Sequence, residues 1–393
     1  MDQSGGDFGG ARRTTNIFMM DWKDCLMSGD RQQQFPVSVI GAGCAGLSLA
    51  ARAADLPGHK LSLIVSKRDD ADDHIWGFWA MEWLQPATLA ARKQWNNWKI
   101  ISNDQHVVHH SARHPYCAIH RHRWLQDCQD KAEASGVKFC HALFPQAAAE
   151  KTIAGQVLDS RPPPVPKGVM LQHFVGWEVR VAARAFDPKT AILMDFRCDQ
   201  TRGMHFIYFL PFSDQEALIE STLFSPELAP DDFYDAAITR YIRSICQLSA
   251  FEISRRESGV IPLGVLGQHD PALVGIGANG GAIRPSSGYA FSFIHKQIDY
   301  AVSHAVAGRP LAVGVPHSAF ELWMDRIFLA VLRRHPELAP DIFTAMAAAL
   351  TGDEFARFLS GEAGVKTWIK VIMAMPKIPF LWGLMHPEAK AVA

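Results

Sequence analysis

The sequence predicts an α/β protein of two domains: a Rossmann-type dinucleotide-binding fold, an antiparallel β-sheet domain, and a helical C-terminal region. Three observations predict it. Val37-Ser-Val-Ile-Gly41-Ala-Gly43-Cys-Ala-Gly46-Leu-Ser-Leu-Ala50 reads as an apolar strand, a glycine turn and the start of a small-residue helix. A second glycine-rich segment, Ile276-Gly277-Ala-Asn-Gly280-Gly281-Ala-Ile-Arg284-Pro285-Ser286-Ser287-Gly288-Tyr289, lies far downstream. Between the two, β-branched and aromatic runs alternate with turn signals, and helical patterns dominate from about Asp231 onward.

In the first segment Gly41 permits the turn, Gly43 lets backbone approach a pyrophosphate, and Gly46 lets helix and strand pack closely. The second segment separates flavin from nicotinamide. A nicotinamide dehydrogenase needs no late glycine turn, whereas a two-domain FAD protein uses a late strand and helix to close over its cofactor. Gly277, Gly280, Gly281, Ser287 and Gly288 are therefore read with Gly41, Gly43 and Gly46 as FAD-binding residues.

The chain has 393 residues, 48% hydrophobic and 20% charged, with a net charge of −1, enough for a sizeable core in more than one domain. No long basic run points to nucleic acid. Seven cysteines without a CxxC pair argue for a reducing, cytosolic location. Residues 1–35 read as a loose extension without a signal peptide's apolar core. No stretch reaches the ~18 uninterrupted apolar residues of a spanning helix. The nearest, Thr367–Met385, is interrupted by Pro376 and Pro379. With Trp368 and Trp382 it either lies at a bilayer surface or packs on the core.

Leu61–Val65 is the second parallel strand. Where this fold usually carries an acidic residue for the ribose, the chain has Val65 and Ser66, with Asp69 and Asp70 slightly later. Residues 74–124 are dense in Trp and His. No acidic ligand accompanies His120, His122 and Cys117, so no metal is expected. Tyr116 to Ala134 reads as a strand entering a helix, from which Arg121 can reach a phosphate or solvent. The proline-rich turn at 161–168 marks a domain crossover. The expected divisions are 36–160 and 261–310 for the FAD-binding domain, 161–260 for the sheet domain, and 311–393 for the helical region.

Strands are expected over His173–Val181, Ala191–Arg197, His205–Leu210 and Ala217–Phe224, and helices over Leu322–Arg334 and Pro340–Ala349. In Ala217–Phe224 both faces are mainly apolar, yet one carries Glu220. Either the carboxyl is buried, which raises its pKa, or it lies at a sheet edge or against an arginine.

At this point a family resemblance emerges. His74-Ile-Trp-Gly-Phe, Gly176-Trp-Glu-Val, Ala191-Ile-Leu-Met-Asp195-Phe-Arg, Tyr208-Phe-Leu-Pro-Phe, Leu218-Ile-Glu220-Ser-Thr222, Gly259-Val-Ile-Pro-Leu, Pro285-Ser-Ser-Gly-Tyr-Ala-Phe291, Met324-Asp-Arg-Ile-Phe-Leu and Pro376-Lys-Ile-Pro-Phe-Leu occur in that order. The series resembles the bacterial lycopene β-cyclases, over roughly residues 36–385. The resemblance implies a flavoprotein with no net redox chemistry. It protonates the terminal double bond of lycopene or a related linear carotene, closes a ring through a carbocation and loses a proton. Reduced FAD is implied as cofactor and NADPH as its reductant. The family's acid/base glutamate falls on Glu220; its second glutamate is Ser221 here. Asp195 matches a neighbouring family position and is expected either to assist or to be structural.

Alkene protonation needs a carboxyl that stays protonated near neutral pH, in a site that keeps water from the cation. Aromatic faces supply the second condition, and Trp76, Phe78, Trp79 and Trp177 are the candidates as a group. An apolar substrate implies a cytoplasmic protein attached peripherally to a membrane surface. The rival readings are a flavin-dependent prenyl reductase or monooxygenase of the same superfamily, and a cyclase of another polyene.

Overall fold

In the computed structural model, residues 35–65, 73–141 and 155–387 are described. The expected extension at 1–35, apart from Phe35, and the positions Asp69 and Asp70 lie outside them.

A five-stranded parallel sheet forms the dinucleotide-binding layer. Its strands are β1 (Phe35–Ile40), β2 (His59–Val65), β8 (Lys138–His141), β9 (Gln156–Asp159) and β15 (Val274–Gly275), in the order β15-β9-β1-β2-β8. Every pairing is parallel, and β1 and β2 are buried from Val37 and Leu61 onward, as strands covered on both faces must be. Helix α1 (Cys44–Ala50) leaves β1 through the first glycine turn. A Cβ on Gly46 would sit 2.1 Å from the Gly41 carbonyl oxygen, so glycine alone allows the helix to lie this close to the turn.

A small antiparallel sheet, β3 (Ile75–Trp79), β4 (Lys93–Trp95) and β7 (Tyr116–His120), runs in the order β3-β7-β4. The short helix α2 (Gln85–Leu89) precedes β4, and α3 (Arg121–Ala134) follows β7 directly, as the strand-to-helix reading requires.

The third sheet has seven strands: β5 (Asn97–Ile101), β6 (His106–His110), β10 (Met170–Arg180), β11 (Thr190–Asp195), β12 (Met204–Pro211), β13 (Glu216–Ser225) and β14 (Glu252–Leu263). Their order is β14-β10-β13-β12-β11-β5-β6, antiparallel except for β11 with β5. Two features depart from the sequence reading. Residues 97–110, assigned there to the FAD-binding part, form one edge of this sheet. The 12-residue β14 occupies the other edge, where helices were expected to dominate. Its segment Ser254-Arg-Arg-Glu-Ser is polar because an edge strand is only half covered, so no apolar run announces it.

Helix α4 (Asp231–Ser244) covers one face of this sheet through Ile238, Tyr241 and Ile242. Helix α5 (Phe291–Val306) follows the second glycine segment. The C-terminal region comprises α6 (Ala319–Arg334), α7 (Ala339–Ala349), α8 (Gly352–Leu359), α9 (Val365–Ala374) and α10 (Lys377–Met385). Capping boxes open α6 (Ser318 with Glu321) and α8 (Thr351 with Glu354).

Candidate active site

Strand β13 is buried along almost its whole length, third from the edge of its sheet. Its side chains alternate. Ile219 packs toward α4, whereas Glu220 and Phe224 face a cavity of about 430 Å³ on the other side. Glu220 is therefore neither an edge residue nor paired with an arginine. It is 7% exposed, and the Thr222 hydroxyl, two residues along the same face, donates to its Oε1 at 2.5 Å. Burial raises its pKa to about 7, against the pull of that hydroxyl.

The cavity wall is aromatic. Trp76, Trp79, Phe174, Phe206, Phe224 and Phe355 line it together with Tyr116, Tyr208 and Tyr289. The three phenols form a cluster at the acid: Tyr116 Oη lies 2.8 Å from Tyr208 Oη and 3.4 Å from Tyr289 Oη. Tyr208 is Glu220's cross-strand neighbour, and the Tyr116 and Tyr208 hydroxyls pack over Gly77, where a Cβ would lie 2.0 Å from the Tyr116 hydroxyl. Burial holds all three phenols above their ordinary pKa, so they remain neutral donors beside the carboxyl.

The same cavity runs to both glycine segments. Cys44, at the head of α1, and Ser286, Ser287 and Gly288 line it. The segments meet at the end of β9. The Ser160 hydroxyl donates to Ile40 O at 2.7 Å, and Ile276 N and Asn279 Nδ2 both donate to Asp159 O. Gly277 has a φ of +70°, and a Cβ there would sit 2.5 Å from Ala45 Cβ, so the second loop rests directly on the first helix. Gly280 is held by Gln297, whose Nε2 donates to its carbonyl at 2.7 Å. Gly41 and Gly288 also have φ values of +98° and +70°, while Gly43 faces open space. Burial pushes the Cys44 thiol up and the charge of Arg121, first residue of α3, pulls it down, which puts that guanidinium near the head of α1.

These features suit a flavin dinucleotide. Gly43 leaves its backbone open to a pyrophosphate, and Ser287 Oγ is buried in the cavity wall without a hydrogen-bond partner. Among the described residues, no group of three His, Cys, Asp or Glu is arranged to hold a metal ion.

Three candidate residues lie elsewhere. Asp195 is on the α4 side of the sheet, bound by both oxygens to Arg197 and accepting from Tyr241 Oη at 3.0 Å. The register shift in β11 between Ile192 and Asp195 accompanies this placement, which leaves the carboxyl outside the cavity lining. Trp177 also faces α4, where its indole nitrogen donates to Asp235 at 3.1 Å and Arg256 lies over its ring. Its position one residue from Gly176 puts it on the wrong face. Phe78 is buried against Phe291, with centroids 5.0 Å apart, behind the lining formed by Trp76 and Trp79.

Sequence reasoning missed the tyrosine cluster, Glu257 and a buried clamp. In that clamp Arg284 bonds Asp325 through Nε and Nη2, at 2.6 and 3.1 Å, and the Ser286 hydroxyl donates to Asp325 at 2.8 Å. The motif segments around Tyr208, Tyr289 and Met324 were visible, and they carried no sign of which members meet.

A parallel dinucleotide-binding sheet joined to a second sheet roofing an aromatic cavity defines a Rossmann-type fold of the kind found in flavin-dependent enzymes. Solved structures with this fold include a geranylgeranyl bacteriochlorophyll reductase-like protein from Thermoplasma acidophilum (TM-score 0.55, 12% identity, 90% of this chain and 99% of that one). A flavin-dependent brominase also matches with TM-score 0.55, at 14% identity over 87% of this chain and 97% of its own. The family model described as lycopene cyclase protein matches residues 36–384, and the chain belongs to that family. It is 22% identical to a lycopene beta-cyclase of Pantoea ananas over 90% of this chain and 98% of the relative. To the lycopene beta-cyclase of a Paracoccus strain it is 30% identical, over 58% of this chain and 62% of the relative.

Proposed function

We propose that this enzyme is an FAD-dependent lycopene β-cyclase that closes the linear ends of lycopene to β-rings without net redox change. One observation carries the reading: a carboxyl that burial keeps protonated up to about pH 7 shares an aromatic cavity with two flavin-suited glycine segments.

Glu220 donates its proton to the terminal double bond. Attack by the neighbouring double bond closes the ring and leaves a carbocation. The faces of Trp76 and Trp79 and the ring edges around them exclude water, and each face stabilises a cation by about 0.5–2 kcal/mol. Loss of a ring proton to the Glu220 carboxylate restores the acid. Tyr208 and Tyr289 hold the carboxyl's surroundings polar without supplying charge. Gly41, Gly43, Gly46, Arg121, Gly277, Gly280, Gly281, Ser287 and Gly288 form the cofactor cradle. Bound reduced FAD supplies an electron-rich ring that favours the cation, with NADPH as the external reductant.

The substrate resides in lipid, so the protein is proposed to be cytoplasmic and membrane-attached. No single helix among the described residues is long and apolar enough to cross a membrane, and α9 and α10, bent by 111°, pass that test only as a pair. Ile369, Met373, Ile378, Leu381 and Met385 on this pair are exposed, which supports a surface contact. Trp368 is packed against Phe320 and Phe358 and takes no part in it.

Expression in a lycopene-accumulating bacterium, with Glu220→Gln alongside, tests the reaction. Cyclic carotenes are expected from the parent alone. Unchanged lycopene beside folded, flavin-loaded protein would remove lycopene as substrate.

A further inference from the structure

Glu220 has a second carboxyl beside it. Across β14, β10 and β13, one row reads Glu257, Gly176, Glu220: Gly176 is paired with Glu220 on one side and with Glu257 on the other. Residues directly opposite in a sheet point to the same face, and the glycine between these two has no side chain. Both carboxylic side chains lean over it. A Cβ at Gly176 would lie 3.0 Å from Glu257 Cγ and 3.5 Å from Glu220 Cβ.

Glu257 is as deeply enclosed as Glu220, its side chain only 1% exposed. Its Oε2 accepts from Ile75 N at 3.2 Å and from Arg255 Nη2, while its Oε1 is buried without a hydrogen-bond partner. Arg255 continues outward, donating to Glu178 Oε1 at 2.6 Å and to Asp73 O at 2.8 Å. Arg92 joins Glu178 from the other side at 2.9 Å and lies 3.0 Å from His120. The chain of charged groups thus leads from a sealed carboxyl to side chains about a quarter exposed (Arg255 23%, Arg92 25%).

We propose that Glu257 is the positioning partner of Glu220: the two carboxyls facing each other across Gly176 cannot both ionise, so the pair retains a proton for the acid between turnovers. The inference rests on the acid-catalysed reading above. One proton passes from Glu220 to the substrate and one returns from the carbocation, so the pair ends each turnover as it began and consumes nothing. Glu257 itself lies behind the cavity wall and acts through Glu220. The groups facing it are Arg255 on its own strand, Glu178 on β10, Glu220 on β13 and Tyr208 on β12; Asp73 and His120, the last residue of β7, interact with Arg255 and not with Glu257. Burial and the Glu220 charge raise the Glu257 pKa, and Arg255 opposes them.

The test is the pH profile of lycopene conversion by the purified full chain, compared among the parent, Glu257→Gln and Glu257→Asp. Glutamine keeps the shape, and Glu178 and Asp73 still neutralise Arg255. The expected result is that Glu257→Gln moves the high-pH fall in kcat down by about one pH unit, the coupling usual for neighbouring carboxyls. KM and the rate at low pH stay as in the parent, and Glu257→Asp restores the profile. An equal loss at every pH, or an unshifted profile, would overturn the proposal. Titration of the infrared band of protonated carboxyls reads the same shift without substrate. A shifted band beside a parent inactive on lycopene would support the pair and reject the reaction; an unshifted band would reject the pair.

Discussion

Glu220 takes its chemistry from one neighbour and a wall. The wall removes water and raises its pKa to about 7; Thr222 supplies a hydroxyl that limits the rise. The protonated form is the acid, so turnover is expected to fall as pH rises through that value, in a steady-state pH profile. Glu220→Gln keeps the volume and removes the proton donor. Conversion by that variant should drop by about 10²–10⁴-fold, the usual contribution of a general acid, in a pigment assay. The same burial affects stability. The folded pKa exceeds the ordinary carboxyl value of 4.5, so the native state holds this proton more tightly than the unfolded chain. The group's stabilising contribution is complete below that ordinary value and is lost as pH rises to about 7. The melting temperature of Glu220→Gln relative to the parent should therefore rise on going from acid to mildly alkaline buffer.

At the scale of elements, the second glycine segment depends on α6. Arg284 and Asp325 are each 5% exposed at the side chain, and neither has water as an alternative partner. Asp325→Asn leaves the buried Arg284 guanidinium with Glu321 as its remaining counter-charge and should cost about 1.5–3 kcal/mol, with flavin lost on gel filtration before the chain unfolds. A variant that melts and retains flavin like the parent would show that the clamp does not hold the loop. The first glycine turn, the strands from β10 to β13 and the apolar faces on both sides of Glu220's strand were legible in sequence because they depend on local spacing and period; that its carboxyl is buried without an arginine was not. Phe78 and Trp177 were not separable from Trp76 and Trp79, since aromatic residues fill cores and cavities alike. Asp195 was misplaced because the β11 register shift has no sequence signal. Glu257 lay in a strand too polar to recognise, and only sheet pairing brings it across Gly176 to Glu220.

At the scale of the molecule, the cavity joins a dinucleotide-binding layer to an acid on a separate sheet, and the exposed α9–α10 pair is the proposed contact with lipid. Replacing Ile378 and Leu381 by Asp should abolish flotation with liposomes while leaving flavin content intact; a parent that stays wholly soluble would contradict the membrane contact. The proposed reaction moves a proton and no net electrons. The most direct measurement is mass spectrometry of the carotenes formed from lycopene in deuterated water by protein whose flavin has been reduced beforehand, with no further reductant added. A redox-neutral cyclisation is expected to give cyclic products over many turnovers, with the hydrogen count of lycopene and with solvent deuterium in the ring. Products differing from lycopene by a pair of hydrogens or an oxygen, or formed only once per reduced flavin, would contradict it.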